Sequence, residues 1–305
     1  MRIFLTGGSG YIGSAVLDAL ARAGHDVTAV VRNQEKAALV EKRGGRPITA
    51  DLFNPDSYAS AAASAEAWIH AAVDSSTRGP ELDKLTIDTL LDAARAAGGG
   101  LVIYTSGVWV LGECPEPVDE KAPVNPIPHS AWRAPHEKHV LKAGTGAIRT
   151  AIVRPGIVYG GGRGIVGDLL KDANNGLVRV VGNGENHWPL VYDRDLGDLY
   201  ARLVADPKAK GIYHANDEGD ECVNDIVEAI REAAHVRPSL RHVPLAEARK
   251  KMGTYADALA LDQKVRSPRA RALGWTPSLR SVAGNVSRLF EEYRRETAAE
   301  STARR

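Results

Sequence analysis

In the first half of the chain, apolar residues come in short runs, and most runs are followed by a longer stretch with helical spacing. The runs at 27–31 and 101–105 are apolar at consecutive positions, as strands covered by helices on both faces must be. This pattern predicts strands near 2–6, 26–31, 46–50, 67–71, 101–105 and 148–154, with helices near 11–23, 34–43, 55–63, 81–97 and 130–143. Strand–helix alternation with short turns predicts an α/β fold built on a doubly wound parallel sheet, with a ligand site at the carboxyl ends of the strands. After residue 155 the rhythm changes: Gly160-Gly161-Gly162 opens a long loop, and the rest reads as a smaller lobe closing over the sheet. Segment 115–128 holds prolines at 115, 117, 123, 126 and 128 and reads as an ordered surface loop, because proline blocks both helix and ladder. The charged, small-residued tail after Tyr293 reads as frayed.

The first strand runs straight into Thr6-Gly7-Gly8-Ser9-Gly10-Tyr11-Ile12-Gly13. A glycine spacing alone says little; a strand before it and a helix after it make it a phosphate turn of the Rossmann type. Gly7 lets the chain turn sharply, Gly10 removes a side chain where amides approach a pyrophosphate, and Gly13 lets the helix pack closely on the strand. Ser9, Tyr11 and Ile12 lie at the helix N-terminus, whose free N–H groups favour phosphate. The chain thus divides into a dinucleotide-binding unit at 1–160, with parts of 190–215 added to it, and a mainly substrate-binding lobe at 161–305.

Composition narrows the partners. With 305 residues and a formal net charge of +1 spread along the sequence, nothing suggests a nucleic-acid groove or a membrane surface. Cys114 and Cys222 fit no metal or redox spacing and read as reduced thiols. His136 and His139 lie three apart, but no third ligand is near, so no metal is expected. No apolar run is long enough to span a bilayer, and no leader is evident, so the expected setting is the cytoplasm, as monomer or homodimer, with a small-molecule substrate.

Beyond the glycine turn, Ala50-Asp51-Leu52, Ile69-His70-Ala71-Ala72, Tyr104-Thr105-Ser106-Gly107, Val153-Arg154-Pro155-Gly156-Ile157-Val158-Tyr159-Gly160, Asp193-Arg194-Asp195-Leu196 and Leu273-Gly274-Trp275-Thr276-Pro277 follow in order. With these motifs, over nearly its whole length, the chain resembles the extended short-chain dehydrogenase/reductases, the NAD-dependent epimerase/dehydratase branch. The resemblance implies that Asp51 and Leu52 contact adenine, that Ala71, Ala72 and Thr105 border the cofactor, and that Pro155, Gly156 and Ile157 lie beside the nicotinamide. It also implies a Tyr and, four residues later, a Lys for proton chemistry. None of the nine tyrosines has a lysine at that spacing. Counting back from Glu137, whose distance to Arg154 fits the family, puts His129 and Arg133 at the pair's positions; counting forward from the serine strand gives Trp132 and His136. We take the first register. Gly107 stands where the family's serine would be, with Ser106 adjacent, so the chain resembles the atypical members.

The second strand ends Arg32-Asn33 with no acid at its tip, which favours NADP(H) over NAD(H): a carboxylate there would bind the ribose 2′-OH and repel a 2′-phosphate. Candidate chemistry follows. Ser106 hydrogen-bonds a substrate carbonyl; His129, Tyr159 or water supplies a proton; Arg133, which cannot relay one, donates to a ribose hydroxyl. Trp109, Trp132, His187, Trp188 and Tyr192 line an apolar or aromatic substrate pocket. The expected activity is hydride transfer to or from a small organic carbonyl, imine or activated alkene. The alternatives are a redox-neutral epimerase or dehydratase, and a dinucleotide sensor without catalysis.

Overall fold

The computed structural model describes residues 1–303. Seven strands form one all-parallel sheet: β1 (Arg2–Thr6), β2 (Asp26–Val31), β3 (Arg46–Thr49), β4 (Ala67–His70), β5 (Gly100–Thr105), β6 (Ile148–Pro155) and β7 (Gly211–Ala215). Their spatial order is β7-β6-β5-β4-β1-β2-β3. Main helices are α1 (Tyr11–Arg22), α2 (Gln34–Lys42), α3 (Gly79–Ala96), α4 (Arg133–Ala143), α5 (Gly164–Asn174), α6 (Asp193–Ala205), α7 (Val223–Ala233) and α8 (Val286–Ala303).

Alternation along β1 explains the layering. Ile3 and Leu5 point to one face, where Val16, Leu17 and Leu20 of α1 and Leu199 and Leu203 of α6 close over them. Phe4 points to the other, with Leu90 and Leu91 of α3 and Val140 of α4. Both faces are thus apolar, and each strand reads as a continuous run. The order reverses between β1 and β4, which opens a crevice at their carboxyl ends. A separate core of Val166, Leu170, Trp188, Ile226 and Phe290, among others, holds the second lobe together.

Three local expectations need correction. Residues 114–118 form a short strand paired with Gln263–Val265, although Pro115 and Pro117 lie in it. The two prolines alternate, so both missing N–H groups fall on the unpaired side, and the ladder is anchored by Cys114 N–H to Asp262 O at 2.9 Å and Arg266 N–H to Val118 O at 2.8 Å. Helix α4 begins at Arg133, not at 130, because Pro135 has no N–H to give Ala131 and is tolerated only in the first turn. The last helix continues beyond Tyr293 to Ala303, through alanine, arginine and glutamate, all good helix formers.

Candidate active site

The turn between β1 and α1 leaves no room for side chains where the chain folds on itself. Gly7 has φ +79°, and a Cβ there would come within 2.6 Å of the Ala71 and Ala72 backbone. At Gly13 a Cβ would meet Gly7 O at 2.0 Å. Gly10 differs: its only near neighbour would be Gly7 O at 3.1 Å, and otherwise the space is open. Helix α1 starts there with no side-chain cap and no acid in its first turn, so its leading N–H groups face that space. An anion-sized opening over a helix N-terminus, with Ala71 and Ala72 beside it, fits a dinucleotide pyrophosphate.

From Tyr11 and Ile12 a cavity of about 670 Å³ extends along the carboxyl edge. Pro155, Gly156, Ile157, Ser106, His129 and Arg133 line it. Trp109, Trp132 and Tyr255 supply aromatic wall. Sequence reasoning places most of these, but not Tyr255 or the segment 73–77, which also line the cavity. Tyr255 sits 122 residues beyond Arg133 on a short helix, Tyr255–Ala260, and no local pattern marks it.

Ser106 Oγ is buried and has no hydrogen-bond partner among the described residues. A buried hydroxyl without a partner is costly and calls for an explanation. His129 lies in a turn before α4 rather than on it, so it shares no helical face with Arg133, yet both line the cavity. Its ring packs against Trp109 (centroids 5.7 Å) and Tyr255 (5.4 Å). Burial, and then the Arg133 charge, lower its pKa from the ordinary value, so the imidazole is neutral at pH 7. Arg133 Nη1 donates to Thr105 O at 3.0 Å and Tyr104 Oη at 3.3 Å, and its guanidinium lies 4.3 Å over the Trp132 ring. The pair whose spacing set the register, Glu137 and Arg154, is a buried bidentate ion pair at 3.0 and 2.6 Å, tying α4 to β6.

Several assigned residues do other work. Tyr159 lies outside the cavity; it is fully buried in the lobe core and its hydroxyl faces Asp217 at 3.5 Å. It is therefore not placed to give a substrate a proton. His187, Trp188 and Tyr192 also lie off the cavity. His187 Nδ1 donates to Asp262 at 2.8 Å, Trp188 Nε1 to Leu259 O at 3.1 Å, and Tyr192 Oη to Glu292 at 2.7 Å. An aromatic-rich run in this lobe builds its core. Thr105 turns its hydroxyl to Tyr200 at 2.6 Å, away from the crevice. Asp51 accepts from Phe53 N–H at 2.9 Å, and Leu52 packs on the sheet's second core. Asn33 caps α2 by accepting from Lys36 N–H at 3.0 Å, while Arg32 is exposed, and no ion pair involving it is seen among the described residues. His136 and His139 face Asp83 and Asp88 separately, and no group of three ligating side chains could hold a metal among the described residues. No helix among them is long and apolar enough to cross a membrane.

The glycine loop that roofs α1 is tied down from afar. Tyr11 Oη donates to Gly160 O at 2.9 Å, and Gly161 N–H donates to Glu292 of α8 at 3.1 Å.

Asp217, beneath Tyr159, gives a pH signature. Burial, reinforced by Glu221 and opposed by the Gly219 amide, pushes its carboxyl up to about 7. A carboxyl whose folded pKa exceeds its unfolded one holds its proton better when folded. Its contribution to stability is therefore lost as pH rises from about 4 through about 7. Asp217→Asn is expected to lessen that loss and raise the melting temperature at pH 8 by roughly a few degrees. Thermal scans from pH 5 to 8 check this; the same slope in both proteins would contradict it.

A parallel sheet with a glycine phosphate turn and a crevice at its carboxyl edge defines a dinucleotide-binding protein of the Rossmann class. The model of the NAD dependent epimerase/dehydratase family matches residues 3–215. The chain belongs to that family, a branch of the short-chain dehydrogenase/reductases, and is an NAD(P)-dependent oxidoreductase. It is 31% identical over 289 residues to the uncharacterised protein C2A9.02 of Schizosaccharomyces pombe, covering 91% of this chain and 95% of that one. It is 29% identical over 205 residues to the 2-alkyl-3-oxoalkanoate reductase of Stenotrophomonas maltophilia, covering 63% and 62%. Among solved structures, the Thermus thermophilus UDP-glucose 4-epimerase complexed with NAD superposes with a TM-score of 0.81 at 21% identity, covering 96% of this chain and 99% of that one. The human epimerase family protein SDR39U1 with NADPH gives 0.78 at 21% identity, covering 95% and 99%.

Proposed function

We propose that the chain is an NADP(H)-dependent reductase acting on a small uncharged organic carbonyl, or on its imine or activated-alkene counterpart. The observation that carries this reading is the unpartnered Ser106 hydroxyl, buried where the cavity meets its aromatic wall. A donor left unsatisfied in the protein is suited to a substrate oxygen that gains charge during reduction. The reductase named above among the relatives supports the same direction. The glycine turn with Ser9, Tyr11 and Ile12 would hold the pyrophosphate, Ala71, Ala72 and Asp51-Leu52 the adenosine side, and Arg133 and Pro155–Ile157 the nicotinamide side. When bound, the dinucleotide supplies or accepts the hydride. Ser106 orients the substrate oxygen, and the neutral His129 ring donates its N–H to that oxygen or to a water beside it. Trp109, Trp132 and Tyr255 exclude solvent and present apolar surface.

Among the described residues, Arg133 is the sole lysine or arginine lining the cavity, and it already donates to the protein. That supports an uncharged substrate over a sugar nucleotide, whose diphosphate would come in addition to the dinucleotide's own at the glycine turn and would meet only this one cation, and so weighs against the redox-neutral epimerase reading. NADPH oxidation with a panel of aromatic and aliphatic ketones tests the activity. Turnover of UDP-sugars without net NADPH consumption would replace it with the epimerase reading.

The preference for the 2′-phosphate rests on Arg32, an exposed cation at the tip of β2 with no acid nearby on that strand. NADPH is expected to bind several-fold tighter than NADH, and Arg32→Asp is expected to reverse the order. Nucleotide fluorescence titrations decide it: equal affinities, or no change in the variant, would remove the assignment.

A further inference from the structure

Behind the cavity wall lies a buried polar network that the proposed chemistry does not use. Asp83 of α3 is only 4% exposed. Its carboxylate accepts from Tyr104 Oη at 2.9 Å, His136 Nδ1 at 2.7 Å and His70 Nε2 at 3.2 Å. On the far side of its ring, His70 Nδ1 is hydrogen-bonded to Thr6 Oγ1 at 2.6 Å, directly before the glycine turn. Tyr104, its O–H donating to Asp83, presents an oxygen lone pair to Arg133 Nη1 at 3.3 Å. Burial alone would raise the Asp83 carboxyl. Hydrogen bonds from His136 and His70, with the charges of His70 and Arg133, outweigh it and hold the group well below the ordinary carboxylate range. A buried anion must be compensated, and here three hydrogen bonds do most of it, with the guanidinium of Arg133 adding charge from beyond Tyr104.

We infer that Asp83 and Tyr104 are positioning residues that fix the guanidinium of Arg133 on the cavity wall, so that its remaining N–H groups meet the bound dinucleotide. Arginine is long and rotamer-rich, and an unrestrained one would lose much of its binding contribution to ordering. Here Tyr104 and Thr105 O hold one nitrogen, and the Trp132 ring supports the guanidinium plane. Two elements of the sheet, β4 and β5, and two helices, α3 and α4, meet at this one carboxylate. The inference rests on Arg133 facing the dinucleotide, as proposed above.

The test is a double-mutant cycle read by NADPH fluorescence titration, with thermal midpoints in parallel. Arg133→Ala is expected to weaken binding about tenfold, and Tyr104→Phe several-fold with its fold retained. The double variant should bind no worse than Arg133→Ala alone, because Tyr104 acts through Arg133. Asp83→Asn should follow Tyr104→Phe; should it fail to fold, the tyrosine cycle decides alone. Additive losses would overturn the inference while leaving Arg133 at the dinucleotide. Unchanged binding in Arg133→Ala would remove Arg133 from the dinucleotide and take the inference with it.

Discussion

Gly10→Val is expected to lower dinucleotide affinity by at least about a hundredfold while leaving the fold intact. The backbone at Gly10 has φ −80° and ψ −179°, an extended conformation that valine adopts without strain. A Cβ there meets only Gly7 O, at 3.1 Å, so a small local shift accommodates it. The branched methyls then fill the open space over the first N–H groups of α1, where the pyrophosphate belongs. Gly13→Ala is the contrasting control: its Cβ would lie 2.0 Å from Gly7 O, so the turn itself must move and stability falls as well. Nucleotide titration with circular dichroism and melting curves separates the two. Undiminished affinity in Gly10→Val would mean that phosphate is held elsewhere.

Ser106→Ala is expected to cut turnover by roughly 10²–10³, the usual cost of removing one donor aimed at developing negative charge. Dinucleotide affinity should be unchanged. Stability should be unchanged or slightly higher, since alanine removes a buried hydroxyl without a partner, a group that costs about 1–3 kcal/mol when left unsatisfied. Loss of activity together with unimpaired stability is the distinguishing pattern. A variant that turns over normally would leave Ser106 without the role assigned to it.

Much of this architecture is legible along the chain because buried parallel strands leave a plain signal. β1 to β6 lie within a residue of the positions that the apolar runs mark, and the phosphate turn follows from glycines between strand and helix. β7 escapes that reading: it is a short run through Tyr213 and His214, far in sequence from its partner β6. Side-chain direction is the harder matter. Tyr159, Trp188 and Tyr192 have the composition of a substrate wall, yet they join Phe290 in filling the centre of the lobe, and His187 is held by Asp262. Tyr255 reaches the cavity only through the way two remote segments meet. The Asp83 network is hidden for the same reason, since His70, Asp83, Tyr104 and His136 belong to four separate elements.

The bond from Gly161 to Glu292 sets an order of assembly during synthesis. A chain leaving the ribosome N-terminus first forms its phosphate turn within the first 13 residues and has all seven strands by residue 215. The loop above that turn has the Tyr11 bond but lacks its second tether until α8 emerges, more than 70 residues later, and Glu292 takes the Gly161 amide and the Tyr192 hydroxyl. A nascent or clipped chain ending before α8 therefore carries the sheet and the glycine turn without a finished roof.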